Sequence, residues 1–306
     1  MNYYLDFLAK PPTLNHTLLP PCGKDLMQEQ SLKTEFEQLL SQPDNQINLA
    51  EGALLVARLE YPELKIQSQL QRITELAEEI RSHLSEEASA AEILTAINKV
   101  LFLEKGFEGN SEHFYDPRNS FLNDVLDRKL GIPISLSILY IELGHQLGLP
   151  LSGVSLPGHF LVKLELNDAA IVLDPYFGGI SLNEDDIEER LQEFYGNKLK
   201  RQHFSGLLAT TPNRDIIMRI LRNLRNIYMQ NQDWGKALGI ANIMINQDSD
   251  KLDSIKARAF IYDALECSRP ALEGYQEYLH ISPEAEDIQV IRNRIIELSE
   301  TCRHIC

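Results

Sequence analysis

The chain has 306 residues, of which 43% are hydrophobic and 24% are charged, and its net charge is −16. At roughly 100–200 residues per domain this length predicts two domains, and the composition is that of a globular protein. So acidic a chain repels phosphate backbones and anionic surfaces, so we expect neither direct nucleic-acid binding nor membrane binding.

No apolar run approaches the roughly 20 residues that cross a bilayer, and the N-terminus has no signal-peptide pattern. The four cysteines, at positions 22, 267, 302 and 306, lack the spacing of a disulfide framework. These features predict a cytoplasmic protein with free thiols. Cys302, His304 and Cys306 supply at most three ligands near a terminus, and His304 lies off the face that the two cysteines share. We therefore expect no metal site, and no cofactor is expected.

Residues 1–30 hold four prolines and little periodicity, and we predict an N-terminal arm there. Helical spacing of apolar residues begins at Leu32 and continues in four segments to about Leu103. Breaks at 42–45 and at Pro62 separate the first of these segments. Residues 31–105 therefore read as all-α.

The pattern changes after Gly106. Asn119 or Ser120 is predicted to cap a helix that ends before Gly131. Pro133 suits the first turn of the next helix, which is apolar on nearly all sides and therefore buried. Three short strands (151–156, 159–166 and 169–173) follow, with Asn167–Asp168 as the turn of a hairpin. A helix over 183–194 completes an α+β unit.

The tail from Thr211 is helical and repeats itself at a spacing of 34 residues. Four pairs show the period: Tyr228 and Tyr262, Ala237 and Ala271, Ala241 and Tyr275, Ser249 and Pro283. This is the period of the tetratricopeptide hairpin, in which small residues let paired helices approach closely. We predict two repeats and a final helix from about 284 to 300.

The middle of the chain carries several motifs in a fixed order: the segment 114–137, Leu-Gly-Leu-Pro ending at Pro150, Pro-Gly-His ending at His159, and Asp-Pro-Tyr-Phe-Gly-Gly starting at Asp174. Together they resemble the bacterial SirB-type proteins over about residues 30–300. The resemblance implies a transglutaminase-like (papain-like) core followed by tetratricopeptide repeats. The fold class predicted is mostly α: N-terminal helices, a small α+β core with a short antiparallel sheet, and C-terminal helical hairpins. The domains expected are an arm (1–30), a helical lead-in with the core (31–205) and a repeat domain (211–306).

Active members of the wider superfamily use a cysteine at the start of the buried helix, a histidine on the next strand and an aspartate on the strand after that. The resemblance assigns His159 and Asp174 to the last two positions. Their spacing across the 167–168 turn predicts hydrogen-bonded neighbours on adjacent antiparallel strands. The cysteine position falls on Pro133, which has no nucleophile, and the nearest hydroxyls are Ser135 and Ser137. A cysteine needs the helix N-terminus and the imidazole to form its thiolate, and a serine depends still more on a well-placed base.

Each of these residues also has a structural interpretation. His159 and Asp174 could form a buried pair without turnover, and the two serines could be capping or core-facing hydroxyls. Asp116, Arg118 and Asn119 are either the rim of a binding site or a capping and ion-pair network.

Two functions follow. One is a non-catalytic regulatory scaffold, linked by the resemblance to transcriptional or virulence regulation, whose repeat groove binds a protein or peptide. The alternative is a hydrolase or transferase that acts on amide or ester bonds through His159 and Asp174 with a serine or water nucleophile.

Overall fold

The computed structural model describes residues 23–166, 170–195, 204–248 and 250–305. Among these, residues 38–220 form one compact unit, here called the core unit. Residues from 221 onward form a second, the repeat unit, together with the described residues up to 37. The predicted domain limits stay a prediction. No helix within the described ranges is long and apolar enough to cross a membrane.

Four helices precede the centre of the core, as the apolar periodicity predicts. They are α1 (Gly23–Ser41), α2 (Leu49–Ala57), α3 (Ile66–Arg81) and α4 (Ala90–Asn98). Helix α4 starts at a capping box, in which Ser89 and Glu92 satisfy each other's backbone N–H groups, and it continues into a π-helical turn over Lys99–Glu104. Helix α1 begins at Gly23, earlier than the apolar periodicity from Leu32 predicts, so its first turns fall within the predicted arm (1–30). Residues 1–22 lie outside the described residues.

The centre of the core holds two helices, a 3₁₀ turn and a small parallel pair of strands. They are β1 (Glu108–Gly109), a 3₁₀ turn (Pro117–Asn119), α5 (Leu122–Arg128), β2 (Leu130–Gly131) and α6 (Pro133–Gln146). Helix α6 is almost wholly buried, as expected from its apolar sides. The predicted cap of α5 is wrong: the N-cap is Phe121, without a side-chain hydrogen bond, because Asn119 and Ser120 lie in and at the end of the 3₁₀ turn.

A four-stranded antiparallel meander follows α6. Its strands are β3 (Leu151–Leu156), β4 (His159–Glu165), β5 (Ala170–Asp174) and β6 (Ile180–Leu182), paired in chain order. The first three match the predicted strands, and β6 is additional. Helix α7 (Glu184–Tyr195) packs Ile187 and Leu191 against the sheet. A short helix, α8 (Phe204–Leu207), comes next. The predicted turn at Asn167–Asp168 lies outside the described residues.

The C-terminal part is entirely helical among the residues that the structure describes. Its helices are α9 (Asn213–Gln230), α10 (Trp234–Met244), α11 (Lys251–Ala264), α12 (Ser268–Ile281) and α13 (Ile288–Ile305). Helices α10 and α12 begin 34 residues apart, at Trp234 and Ser268. The predicted final helix is present, shifted by four to five residues.

The repeat extends to the backbone of the turns. Gln232 and Glu266 both adopt a left-handed conformation, with φ of 59° and 57°. The next N–H in each turn donates to the carbonyl of Tyr228 or of Tyr262, at 2.8 and 2.9 Å. Ala237 and Ala271 are both fully buried, which agrees with close helix packing at equivalent positions. Two turns that repeat at the same spacing support the predicted 34-residue unit; Ser249, of the fourth pair, lies outside the described residues.

Candidate functional site

His159 and Asp174 are hydrogen-bonded neighbours on strands β4 and β5, which confirms the predicted pair. Nε2 of the imidazole lies 2.8 Å from Oδ2 of the carboxylate. The side chain of His159 is 13% exposed, and that of Asp174 is fully buried. Since an ionised carboxylate only accepts hydrogen bonds, Nε2 carries the proton, and in a neutral imidazole Nδ1 holds the lone pair. Among the described residues no second hydrogen bond reaches this ring.

The Asp174 carboxylate has two further partners. Arg190, from α7, lies 2.9 Å from Oδ2, the same oxygen that His159 contacts. The other oxygen accepts the backbone N–H of Tyr176 at 3.1 Å, which closes the 3₁₀ turn Pro175–Phe177 after β5. A buried carboxylate with a cation and two hydrogen-bond donors is well compensated, and it holds the imidazole in one orientation.

Aromatic rings border the imidazole on the side of the 3₁₀ turn. Tyr176 stands perpendicular to the His159 ring with centroids 6.0 Å apart, and the Phe177 ring lies 6.1 Å away. Arg190 lies 5.0 Å from the Phe177 ring centroid. Burial and the charge of Asp174 raise the pKa of the Tyr176 hydroxyl above its ordinary value. Phe177 is 53% exposed, so the site offers an apolar surface beside an imidazole.

Space for Tyr176 depends on a glycine. A Cβ on Gly109, in β1, would lie 2.4 Å from the Tyr176 ring, so only glycine permits this approach. Tyr176 also contacts Phe114 edge-on, with centroids 6.4 Å apart. The short β1–β2 pair therefore helps to set the wall of the site.

Helix α6 begins at Pro133, so the position that the resemblance assigns to the cysteine is the first residue of a buried helix. A thiol there would benefit from the helix N-terminus. Proline supplies only the geometry of that turn. None of the four cysteines lies in α6 or in strands β3–β6.

The two serines are engaged elsewhere. The Ser135 hydroxyl donates to the Asn119 carbonyl at 2.6 Å and accepts the Ile132 N–H at 3.1 Å. The Ser137 hydroxyl contacts the Phe160 carbonyl at 3.4 Å, which ties α6 to β4 beside the histidine. Neither hydroxyl hydrogen-bonds to His159, and both are buried.

Asp116, Arg118 and Asn119 form a bonded network. Arg118 donates to both oxygens of Asp116 at 2.7–3.1 Å, and Arg128 lies 3.6 Å from the same carboxylate. Although partial burial opposes ionisation, the hydrogen bonds and charges of Arg118 and Arg128 hold the pKa of Asp116 below its ordinary value. Asp116 also caps the 3₁₀ turn through the Arg118 N–H.

Asn119 is fully buried and is the centre of this network. Its amide nitrogen donates to the carbonyls of His113 and Phe114 at 2.7 and 3.3 Å. Its amide oxygen accepts from Asn110 at 3.1 Å and from Arg128 at 3.3 Å. These bonds order the loop that carries Phe114, so the geometry favours the structural interpretation of the three residues.

Two arginines at the site were not predicted. Arg190 is the one basic residue in the acidic sequence of α7, and that contrast is the signal that could have marked it. Arg219, from α9, donates to the carbonyls of Leu156 and His159 at 2.7 and 2.9 Å, and its guanidinium also contacts the Ser155 hydroxyl. It thereby clamps both sides of the β3–β4 turn; a contact over 60 residues of sequence leaves no local signal.

Comparisons with known proteins agree with this architecture. Residues 67–222 match the model of the transglutaminase-like superfamily, and residues 224–295 match a tetratricopeptide-repeat model. No solved structure matches the chain.

Three bacterial relatives are similar over most of their length. A UPF0162 protein of Xylella fastidiosa strain Temecula1 is 34% identical over 89% of this chain and 98% of its own. One from Vibrio cholerae is 30% identical over 83% of this chain and 93% of its own. Protein SirB1 of Salmonella typhimurium is 26% identical over 82% of this chain and 93% of its own. Since the core match spans half of the chain and the relatives span both parts, this chain belongs to the transglutaminase-like superfamily and, within it, to the SirB-type family of UPF0162 proteins.

Proposed function

We propose that this chain is a cytoplasmic protein-interaction scaffold with a regulatory role, and that its transglutaminase-like core is a pseudo-enzyme. The observation that carries the proposal is Pro133 at the first position of α6. Thiolate catalysis requires a sulfur beside an imidazole, and proline has no nucleophilic atom. An exposed free thiol at Cys267 is in keeping with a reducing compartment.

The hydrogen bonds of the two serines and of Asp174 also support a pseudo-enzyme. The hydroxyl groups of Ser135 and Ser137 donate their hydrogen bonds to backbone carbonyls. In a catalytic dyad the carboxylate stabilises the imidazolium that forms during turnover. Here Asp174 already neutralises Arg190 through the oxygen that faces His159. The pair is therefore suited to holding the β4–β5 edge and its aromatic wall as a binding surface.

The repeat unit supplies the partner-binding element of the scaffold. Tetratricopeptide hairpins stack into concave surfaces that take peptides or helices. The match of residues 224–295 to this repeat supports a protein or peptide partner. The family resemblance suggests transcriptional or virulence regulation, and the net charge of −16 favours an indirect role over contact with DNA.

The proposal is tested by assaying the full chain for amine transfer to a glutamine peptide and for hydrolysis of that peptide, with and without a thiol alkylator. We expect no turnover in either condition. Alkylator-sensitive turnover that disappears in His159→Ala would contradict the proposal, because it would show a working thiol.

A gain-of-function variant makes the test stronger. Pro133→Cys places a thiol at a buried helix N-terminus, where the helix dipole lowers its pKa and burial raises it. We expect its alkylation at pH 6 to be faster in this variant than in Pro133→Cys with His159→Ala, because a nearby imidazolium stabilises the thiolate. Equal rates in the two variants would show that the imidazole does not serve this position.

A hydrolase with a water nucleophile is the second candidate, and one observation favours it. The lone-pair nitrogen of His159 has no hydrogen-bond partner among the described residues, and the ring is 13% exposed. It could take a proton from water, whose hydroxide attacks a carbonyl, and return that proton to the leaving amine or alcohol. Turnover that is insensitive to the alkylator but lost in His159→Ala would establish this candidate over the scaffold.

A further inference from the structure

A cavity of about 430 Å³ lies within the repeat unit, lined by residues from α1, α10, α11 and α12 and by two residues just after α10. Three cations line it: Lys33, Lys251 and Arg258. Glu277 is the single carboxylate among its described lining residues. The cavity is therefore basic, although the chain as a whole is strongly acidic.

These three cations differ from Lys256 and Arg294 in the same unit, which have acidic partners. Lys256 lies 2.6 Å from Asp287, and Arg294 lies 2.8 Å from Asp263. By contrast, no ion pair to Lys33, Lys251 or Arg258 is present in the part of the chain that the structure describes. The chain has 45 acidic residues that could have paired with these cations. Because three basic side chains without an ion pair line one cavity, we infer that the cavity is a site for an external anion.

The position of Lys251 adds to this. It is the first residue of α11, where a cation opposes the helix dipole and weakens the helix. Its neighbour Asp250 caps the helix instead, by accepting the Asp253 N–H. Lys251 thus adds charge to the cavity and nothing to the stability of its own helix.

We propose that this cavity binds an acidic peptide segment in an extended conformation; this rests on the proposed scaffold function and names the chemistry of its partner. Lys251 and Arg258 are seven residues apart on one helix, which is about 10.5 Å at 1.5 Å per residue. Carboxylates three residues apart on a polyproline II chain recur on one side at about 9 Å. The spacing fits a chain with at least two acidic residues better than it fits a single small anion.

Two amides favour a peptide over other polyanions. Asn242 and Asn246 line the cavity one helical turn apart, near the end of α10. An asparagine amide both donates and accepts, so it can pair with the N–H and C=O groups of an extended backbone. Phosphate oxygens only accept, and a nucleic acid would in addition be repelled by Glu277 and by the acidic chain.

The experiment measures fluorescence anisotropy of labelled twelve-residue peptides titrated with the full 306-residue chain. One peptide repeats Pro-Ser-Glu, the second repeats Pro-Ser-Gln, and a twelve-nucleotide poly-dT strand is the third probe. We expect the glutamate peptide to bind at least ten-fold more tightly than either of the others, with an affinity that falls as salt rises. Equal binding of the two peptides, or tighter binding of the oligonucleotide, overturns the proposal.

Variants that remove the charge of lining residues test whether the peptide binds at this cavity. Lys251→Gln with Arg258→Gln should weaken the glutamate peptide at least ten-fold and leave the glutamine peptide within two-fold. Arg269→Gln removes a cation that is exposed in the same unit but does not line the cavity, and it should change binding less than two-fold. If Arg269→Gln has the effect of the double variant, the binding is non-specific and the proposal fails.

Folding is controlled by thermal unfolding of each variant. Should the double variant unfold, Lys33→Gln with Lys251→Gln provides a second pair with the same expected loss. The peptide-binding assay tests the cavity and not the core unit. The proposed scaffold function is contradicted by a different result, namely turnover that requires a thiol or His159. Absence of turnover together with unselective peptide binding would retain the scaffold and reject the acidic-peptide site.

Discussion

The core unit and the repeat unit differ in whether the features described above occur once or twice. In the core, single buried groups make bonds that no other residue duplicates, as Asn119 and Asp174 do. In the repeat unit the same turn and the same buried alanine occur twice, at Ala237 and Ala271. A single substitution at such a residue should therefore lower the stability of the core unit strongly. A single substitution in one repeat should lower the stability of the repeat unit only slightly.

The largest expected effect comes from Asn119→Ala. It removes an amide that bonds two carbonyls and two side chains, and it leaves those groups buried without partners. We expect a loss of about 3–4 kcal/mol in the free energy of unfolding. Urea denaturation measures it, with Asn246→Ala, exposed in the repeat unit, as the control at below about 0.5 kcal/mol. Equal losses in the two variants would show that the core does not depend on this single amide.

A matched pair of glycines tests the packing of the repeats. A Cβ on Gly274, in α12, would lie 2.8 Å from the Ala259 Cβ, whereas a Cβ on Gly239, in α10, would meet nothing within 4 Å beyond its chain neighbours and its own helix backbone among the described residues. Gly274→Ala should therefore destabilise by about 1–2 kcal/mol through overpacking. Gly239→Ala should stabilise by about 0.5–1 kcal/mol through helix propensity. Thermal unfolding reports both, and the same sign for the two would show that this crossing is not tight.

Asp116→Asn tests the ion pairs of the core through pH. The folded pKa of Asp116 is depressed, so its contribution is present above the ordinary aspartate value of about 3.9 and is lost as pH falls through the lower folded value. The substitution should cost about 1 kcal/mol at pH 7, and the cost should shrink as the pH falls below the ordinary aspartate value. Urea unfolding over a series of pH values measures it; a cost independent of pH would point to the cap alone.

The smallest effect is expected at a helix start. Asp233 caps α10 through the Lys236 N–H, while Cys267, at the equivalent position of α12, makes no side-chain cap. Cys267→Asp should stabilise by about 0.5–1 kcal/mol, because it adds the missing acceptor and a favourable charge. Cys267→Ala is the control with no gain. A loss of stability in the aspartate variant would show that the two repeats differ at this turn.

Much of the fold could be predicted because its signals are local. Apolar periodicity gave the helices, and the spacing across a short turn paired His159 with Asp174. The 34-residue period located the repeats. The two-residue strands β1 and β2 leave no periodicity to detect, and the prolines up to position 21 concealed the start of α1 at Gly23.

The candidate site was less predictable, because its contacts join distant segments. Arg190 reaches Asp174 from a separate helix, and Arg219 reaches the His159 carbonyl over 60 residues. Asn119 looked like a helix cap because caps and buried loop-ordering amides use the same residue type. Only the three-dimensional arrangement separates the two roles.

Arg219 limits where the core can be joined to other repeats in a fusion protein. Helix α9 belongs to the core unit as far as Ile220 and to the repeat unit from Leu221. A gene fusion that exchanged the repeats at the start of α9 would discard the guanidinium that clamps the turn before His159. Viable chimaeras between such cores and foreign repeat arrays should therefore carry their junction after residue 220, inside a helix and not in a linker.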